Sequence, residues 1–195
     1  SPFALIVHPN GISPTGSFLQ GSGMVSAIAG VQGTFFINAN DRFFNPVSVE
    51  GHSMMFLANG TVQPLTKTLT SFNQLMLSYS LFKAGSYSMA VQIEQARNSS
   101  KIYAQIFGSP FTLEVMPDLA TAATSVLHLL QTTLIAGEPF LVNIIGYDRF
   151  ENRVRVGGAS VRSEILGSLM YRSPVSDHGN GTYSAIFSEL AVGKY

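Results

Sequence analysis

Apolar and polar residues alternate along this chain in short runs that end at glycine, proline, asparagine or aspartate. Phe35, Ile37 and Ala39 alternate with Thr34, Phe36 and Asn38, and Phe140, Val142 and Ile144 alternate with Leu141 and Asn143. A period of two sends one set of side chains to the buried face of a strand and the other set outward. YSMAVQI (87–93), KIYAQIF (101–107), FTLEV (111–115), NRVRV (152–156) and TYSAIF (182–187) read the same way, bounded by turn residues. TSVLHLLQTTL (124–134) is the one stretch with helical spacing. The segment in the matching place, SFLQGSGMVSA (17–27), carries two glycines and no helical face, so both are predicted to be first strands. The pattern predicts an all-β chain.

The strands come in repeated sets. AGVQGTFFINANDRFFN (29–45) aligns without a gap on AGEPFLVNIIGYDRFEN (136–152) at an offset of 107, with identities at Ala29/Ala136, Gly30/Gly137, Asp41/Asp148, Arg42/Arg149, Phe43/Phe150 and Asn45/Asn152. KAGSY (83–87) matches AVGKY (191–195) at an offset of 108, pairing Gly85 with Gly193 and Tyr87 with Tyr195. SPFALIV (1–7) matches SPFTLEV (109–115) at that same offset. Repetition at a fixed period marks one structural unit. Short strands in units of about 100 residues predict immunoglobulin-like β-sandwiches in tandem. The expected partition is residues 1–8 as the last strand of a preceding module, 9–116 as a module, and 117–195 as a second module truncated before its last strand. Two readings of Ser1–Val7 stay open: the closing strand of an earlier module in a longer chain, or a strand donated to the truncated module of a neighbouring chain.

The landmarks resemble the filamin-type immunoglobulin repeat. Its pattern runs from an aspartate closing the second strand, through Gly-Gly and an Asp-x-Gly-x-Gly-Thr-Tyr turn, to Gly-x-Tyr and Gly-Ser-Pro-Phe. The second copy here carries Asp148, Gly157-Gly158, DHGNGTYS (177–184, with Asp177, Gly181 and Tyr183) and GKY (193–195, with Gly193 and Tyr195). The first copy carries Asp41, Gly51, GSY (85–87) and GSPF (108–111), but has SFNQLMLSY (71–79) where the glycine-rich turn should be. Gly85 is expected at a corner that needs positive φ, with Tyr87 turning its ring inward and its hydroxyl to backbone. Pro110 lacks a donor and belongs at the start of a strand, which makes Phe111 that strand's first inward anchor. The resemblance also implies a peptide-docking groove beside the third strand, near 45–51 and 152–160. There, Arg153 and Arg155 point outward, and edge charges generally oppose pairing.

Composition narrows the function. Lys+Arg and Asp+Glu are both 11, so no net field draws the chain to nucleic acid or an anionic membrane. There is no cysteine, and no apolar run is long enough for a spanning helix in this stretch. His8, His52, His128 and His178 stand in unrelated contexts without ligand spacing, and DHGNG offers a single carboxylate, so neither metal nor cofactor is expected. No nucleophile elbow or phosphate loop occurs, and the polar residues that the copies share are turn residues, so an enzyme is not expected. Asp41 and Asp148, each followed by arginine, read as strand-end turn formers, with an ion pair between modules as the alternative.

Only 11% of residues are charged, against about 25% in an average soluble protein. Three Asn-X-Ser/Thr sequons, at Asn59, Asn98 and Asn180, would supply the missing solubility as N-linked glycans, although Asn-Gly-Thr is also simply a turn. The expectation is a non-enzymatic, extracellular or cell-surface protein whose modules meet neighbouring modules, head-to-tail copies or a surface protein partner. It would be a rod, a filament, or the ectodomain of an adhesion protein like the filamin-repeat gamete-surface proteins of plants and algae. The alternative is a cytoplasmic filamin-like scaffold that docks peptides on a sheet edge.

Overall fold

A computed structural model describes residues 3–97, 100–131, 133–167, 169–188 and 190–193. The chain divides into two compact units, Ser1–Met116 and Pro117–Tyr195, and it is all-β.

The first unit contains β1 (Phe18–Gln20), β2 (Ser26–Ile28), β3 (Gly33–Asn38), β4 (Met54–Ala58), β5 (Thr61–Val62), β6 (Thr66–Ser71), β7 (Gln74–Tyr79), β8 (Gly85–Arg97), β9 (Ser100–Gln105) and β10 (Phe111–Met116). One sheet runs β1-β3-β7-β6. The other runs β2-β10-β8-β4-β5, with β9 also paired to β8. This is the two-sheet order of an immunoglobulin sandwich, in which the first strand crosses from one sheet to the other. The crossing is made by the 3-10 turn Ser22–Met24, between β1 on β3 and β2 lying parallel to β10. Gly23 permits it, since a Cβ there would stand 2.3 Å from the Thr34 carbonyl oxygen. The glycines of SFLQGSGMVSA thus split what reads as one strand into two.

Alternation decides the core. Phe35 and Ile37 of β3 are fully buried beside Leu77 of β7, and face Phe56 of β4, Val91 of β8 and Leu113 of β10 from the opposite sheet. The Phe35 ring lies 5.5 Å from Phe56, 6.0 Å from Tyr79 and 6.2 Å from Phe111, linking both sheets. Where the glycine-rich turn is missing, β6 and β7 are still joined by a tight hairpin through Phe72 and Asn73, with a bulge between Leu69 and Ser71.

The second unit contains β11 (Val126–Leu129), β12 (Phe140–Ile145), β13 (Ser163–Leu166), β14 (Met170–Ser173), β15 (Val175–Asp177) and β16 (Thr182–Phe187). The antiparallel sheet β11-β12-β16-β15 repeats the order β1-β3-β7-β6, and β13-β14 forms a separate hairpin. Val142, Ala185 and Phe187 form its core, with Phe140, Ile165, Tyr171 and Val175 packed around them. Phe140 and Phe187, cross-strand partners, stack with centroids 5.6 Å apart.

NRVRV (152–156) departs from its strand expectation. Asn152 and Val154 are buried and Arg153 and Arg155 exposed, but apart from the isolated bridge of Arg153 to Tyr147 the segment runs outside the sheets. Its Val154 amide donates to the Gly146 carbonyl, so the alternation reflects a chain crossing the end of the sandwich. The region near 45–51 is likewise outside the ladders, with one bridge between Asn40 and Pro46. The third strands of the two units are β4 and β13, and the edge expected near 45–51 and 152–160 is not made by those residues.

Candidate functional site

The residues shared by the two copies build the same device twice. In the first unit the Asp41 carboxylate accepts from the amides of Phe43 (2.8 Å), Asn45 (2.9 Å) and Asn10 (3.0 Å) and from the Asn45 side-chain Nδ2 (3.0 Å). In the second, Asp148 accepts from the amides of Phe150 (2.8 Å), Asn152 (2.9 Å) and Asp118 (2.9 Å) and from the Asn152 Nδ2 (2.8 Å). Each clamp ties the chain entering its unit to the loop that leaves β3 in the first unit and β12 in the second. Burial pushes the Asp41 carboxyl up, but the Asn45 side chain and the amides of Asn10, Asn45 and Phe43 more than reverse this and hold it at about 2. Asp148 is lowered through the same balance of burial against Asn152, Asp118 and Phe150.

The arginines beside the clamps stack on the phenylalanines that follow them. The Arg42 guanidinium sits 4.6 Å over the Phe43 ring and Arg149 4.7 Å over Phe150, with Arg149 also 3.6 Å from the Asp118 carboxylate. Such stacks are worth about 0.5–1 kcal/mol at exposed sites.

A second group of landmarks meets at one end of the second unit. The Asp177 carboxylate accepts from the Gly179 amide (2.8 Å) and the Gly158 amide (2.6 Å), which lowers its pKa, and Ala159 N donates to the Tyr183 hydroxyl. A Cβ on Gly157 would meet Asp177 at 2.5 Å, and one on Gly181, which has φ of 75°, would meet the Val154 carbonyl oxygen at 2.0 Å. In the first unit Gly85 has φ of 149°, Tyr87 is half-buried with its hydroxyl donating to Lys83 O (2.8 Å), and Pro110 immediately precedes β10. Phe111 is likewise half-buried, its ring against Phe35. The fully buried hydroxyl is that of Tyr79, which donates to the Gly23 carbonyl; burial raises its pKa to about 12. Tyr79 has no counterpart among the repeated tyrosines, so the repeat gives no signal for it.

Asn59 lies at the β4–β5 turn with φ of 48°, exposed, its Oδ1 accepting from the Ser88 amide. Asn180 is exposed in the β15–β16 turn, its Oδ1 accepting from Thr182 N and Oγ1. Asn98 and Tyr195 lie outside the described residues. Gly193 is described, and borders an apolar groove on the second unit. Among the described residues no helix is long and apolar enough to cross a membrane, and no group of three metal-binding side chains occurs.

The groove runs under the sheet of the second unit. Leu127 and Leu129 of β11, Phe140, Val142 and Ile144 of β12 and Ile165 of β13 border a space of about 600 Å³. Leu134, Ile135, Leu190 and Val192 border the same space, and among the described residues β13 pairs with β14.

No family model matches this sequence, and no curated protein does. Solved structures do. FdeC, an Escherichia coli adhesin, superposes with a TM-score of 0.59 at 16% identity, over 92% of this chain and 57% of its own. Invasin, a bacterial integrin-binding protein, gives 0.54 at 16% identity, over 96% of this chain and 37% of its own. The chain therefore spans little more than half, or less, of those two proteins. The filamin domain of Lin-41 is matched at 20% identity over 54% of this chain and 97% of that domain, with a TM-score of 0.43. The strand order and the superpositions on FdeC and invasin define the fold as an immunoglobulin-like β-sandwich.

Proposed function

We propose that this chain is a non-enzymatic, structural or adhesive part of a protein of the cell surface or extracellular space, a rod of tandem immunoglobulin-like modules carrying N-linked glycans. One observation carries it. What the two copies share is the aspartate clamp and the core alternation, residues that hold a module together. The likeness to an adhesin and to an integrin-binding protein supports the same role. So does a surface with 11% charged residues, which glycans on the exposed turns at Asn59 and Asn180 would keep soluble. Glycopeptide mapping of the native protein tests this. Glycan mass on Asn59, Asn98 or Asn180 is the expected result, and all three unmodified would remove the glycoprotein part.

A further inference from the structure

The outer side of the sheet β11-β12-β16-β15, turned away from the groove, carries an apolar row that crosses all its strands. Leu141 of β12 pairs with Ile186 of β16. Leu130, one step past the Leu129/Val142 pair, stands beside Leu141, and Pro174, one step before the Val175/Ala185 pair, stands beside Ile186. Leu130, Leu141 and Ile186 are 69%, 36% and 62% exposed, and Pro174 is exposed as well. None of the four borders the groove, which on β11 and β12 is lined by the alternate set, from Leu127 and Leu129 to Phe140, Val142 and Ile144.

The fold of a module does not require this row. In the first unit the same place, next to the Gly33/Tyr79 pair as this one is next to Phe140/Phe187, is held by Thr34, Ser78 and Thr66. The second unit thus has leucine, isoleucine and proline where the first has hydroxyls, on a face that meets water in the single chain. The rest of the face is neutral. From the row of His128, Asn143 and Ser184 to the row of Val126, Ile145 and Thr182, no Asp, Glu, Lys or Arg stands among the outward positions, and β15 adds Ser176.

We propose that this face is where two copies of the chain meet, sheet against sheet about a two-fold axis. A face without charge sets no like-charge pair against its own copy, the device that keeps wrong surfaces apart. Apolar rows from both copies leave water together, and the axis makes the contact close at a dimer. Four strands at about 4.8 Å and three outward rows at about 6.8 Å give each face roughly 19 Å by 20 Å. Two such faces cover on the order of 800 Å² in plan, and more of accessible surface along their corrugation, which is the size of a weak, reversible contact. This goes beyond the surface role proposed above and is read in solution, so its failure leaves that role untouched.

Sedimentation of the 195-residue chain over micromolar to millimolar concentration tests it, together with the variants Leu130→Asp, Ile186→Thr and Leu129→Asp. Leu130 lies past the end of β11, and Ile186→Thr keeps a β-branched residue on β16, so the strands stand in both. The wild type should approach a dimer at the upper end of the range, and Leu130→Asp should stay monomeric. Ile186→Thr should weaken the dimer about tenfold, since the axis makes each change count twice. Leu129→Asp charges the opposite side of the sheet and should leave the dimer intact. A wild type that stays monomeric or grows past a dimer, a Leu130→Asp variant that dimerises like the wild type, or a dimer lost in Leu129→Asp overturns the proposal.

Discussion

Phe35→Ala is the perturbation that most directly loads the first unit's packing. The Phe35 ring is fully buried on β3 and touches Phe56 and Phe111 from the opposite sheet and Tyr79 from its own. Truncating a core phenylalanine costs about 3–5 kcal/mol through lost transfer energy and the cavity left behind. Because three aromatic neighbours hold the walls apart, little collapse is expected, which places the cost toward the upper end. Against a total stability of about 5–15 kcal/mol, that is a large share. Phe111→Ala removes a ring that is partly exposed, so its cost should be about half. Hydrogen-exchange mass spectrometry read on peptides from β3, β4 and β8 isolates this unit from the other. A loss below about 1 kcal/mol for Phe35→Ala, or a larger one for Phe111→Ala, would refute the assignment of Phe35 as the link between the sheets.

Three further outcomes follow from the same geometry. Tyr79→Phe strands the buried Gly23 carbonyl and should cost about 1–3 kcal/mol by urea unfolding with an unchanged slope, and a neutral result would mean that water replaces the hydroxyl. The folded Asp41 carboxyl is held at about 2 against an ordinary 3.8, so its contribution is fully present above pH 3.8 and is lost as pH falls toward 2. Thermal unfolding of Asp41→Asn should lack that acid-dependent component, and a curve parallel to the wild type across this window would contradict the clamp. Gly181→Ala combines a φ of 75° with a Cβ 2.0 Å from the Val154 carbonyl oxygen, so it should destabilise the second unit by more than the roughly 1 kcal/mol typical of backbone strain alone, measured by exchange on the β15–β16 peptides.

The strands that were legible in the sequence are those whose two faces differ. Phe35 and Ile37 against Thr34, and Val142 against Leu141, sit half in a core and half in solvent, so a period of two appears directly. NRVRV shows the limit: Asn152 and Val154 are buried by a chain crossing, and alternation alone cannot tell that from a ladder. The split first strand is hidden for another reason. Gly23 marks a backbone approach to Thr34, and contacts across 11 positions leave no periodic trace. Asp41 and Asp148 stand out as matched strand-end aspartates. That each gathers amides from 31 and 30 residues away depends on tertiary closure, which no local spacing encodes.

Labelling of intact and permeabilised cells with an antibody raised against the 195-residue chain tests the surface role most directly. Signal of equal strength on intact cells is the result the account expects, and signal that appears only after permeabilisation would contradict it.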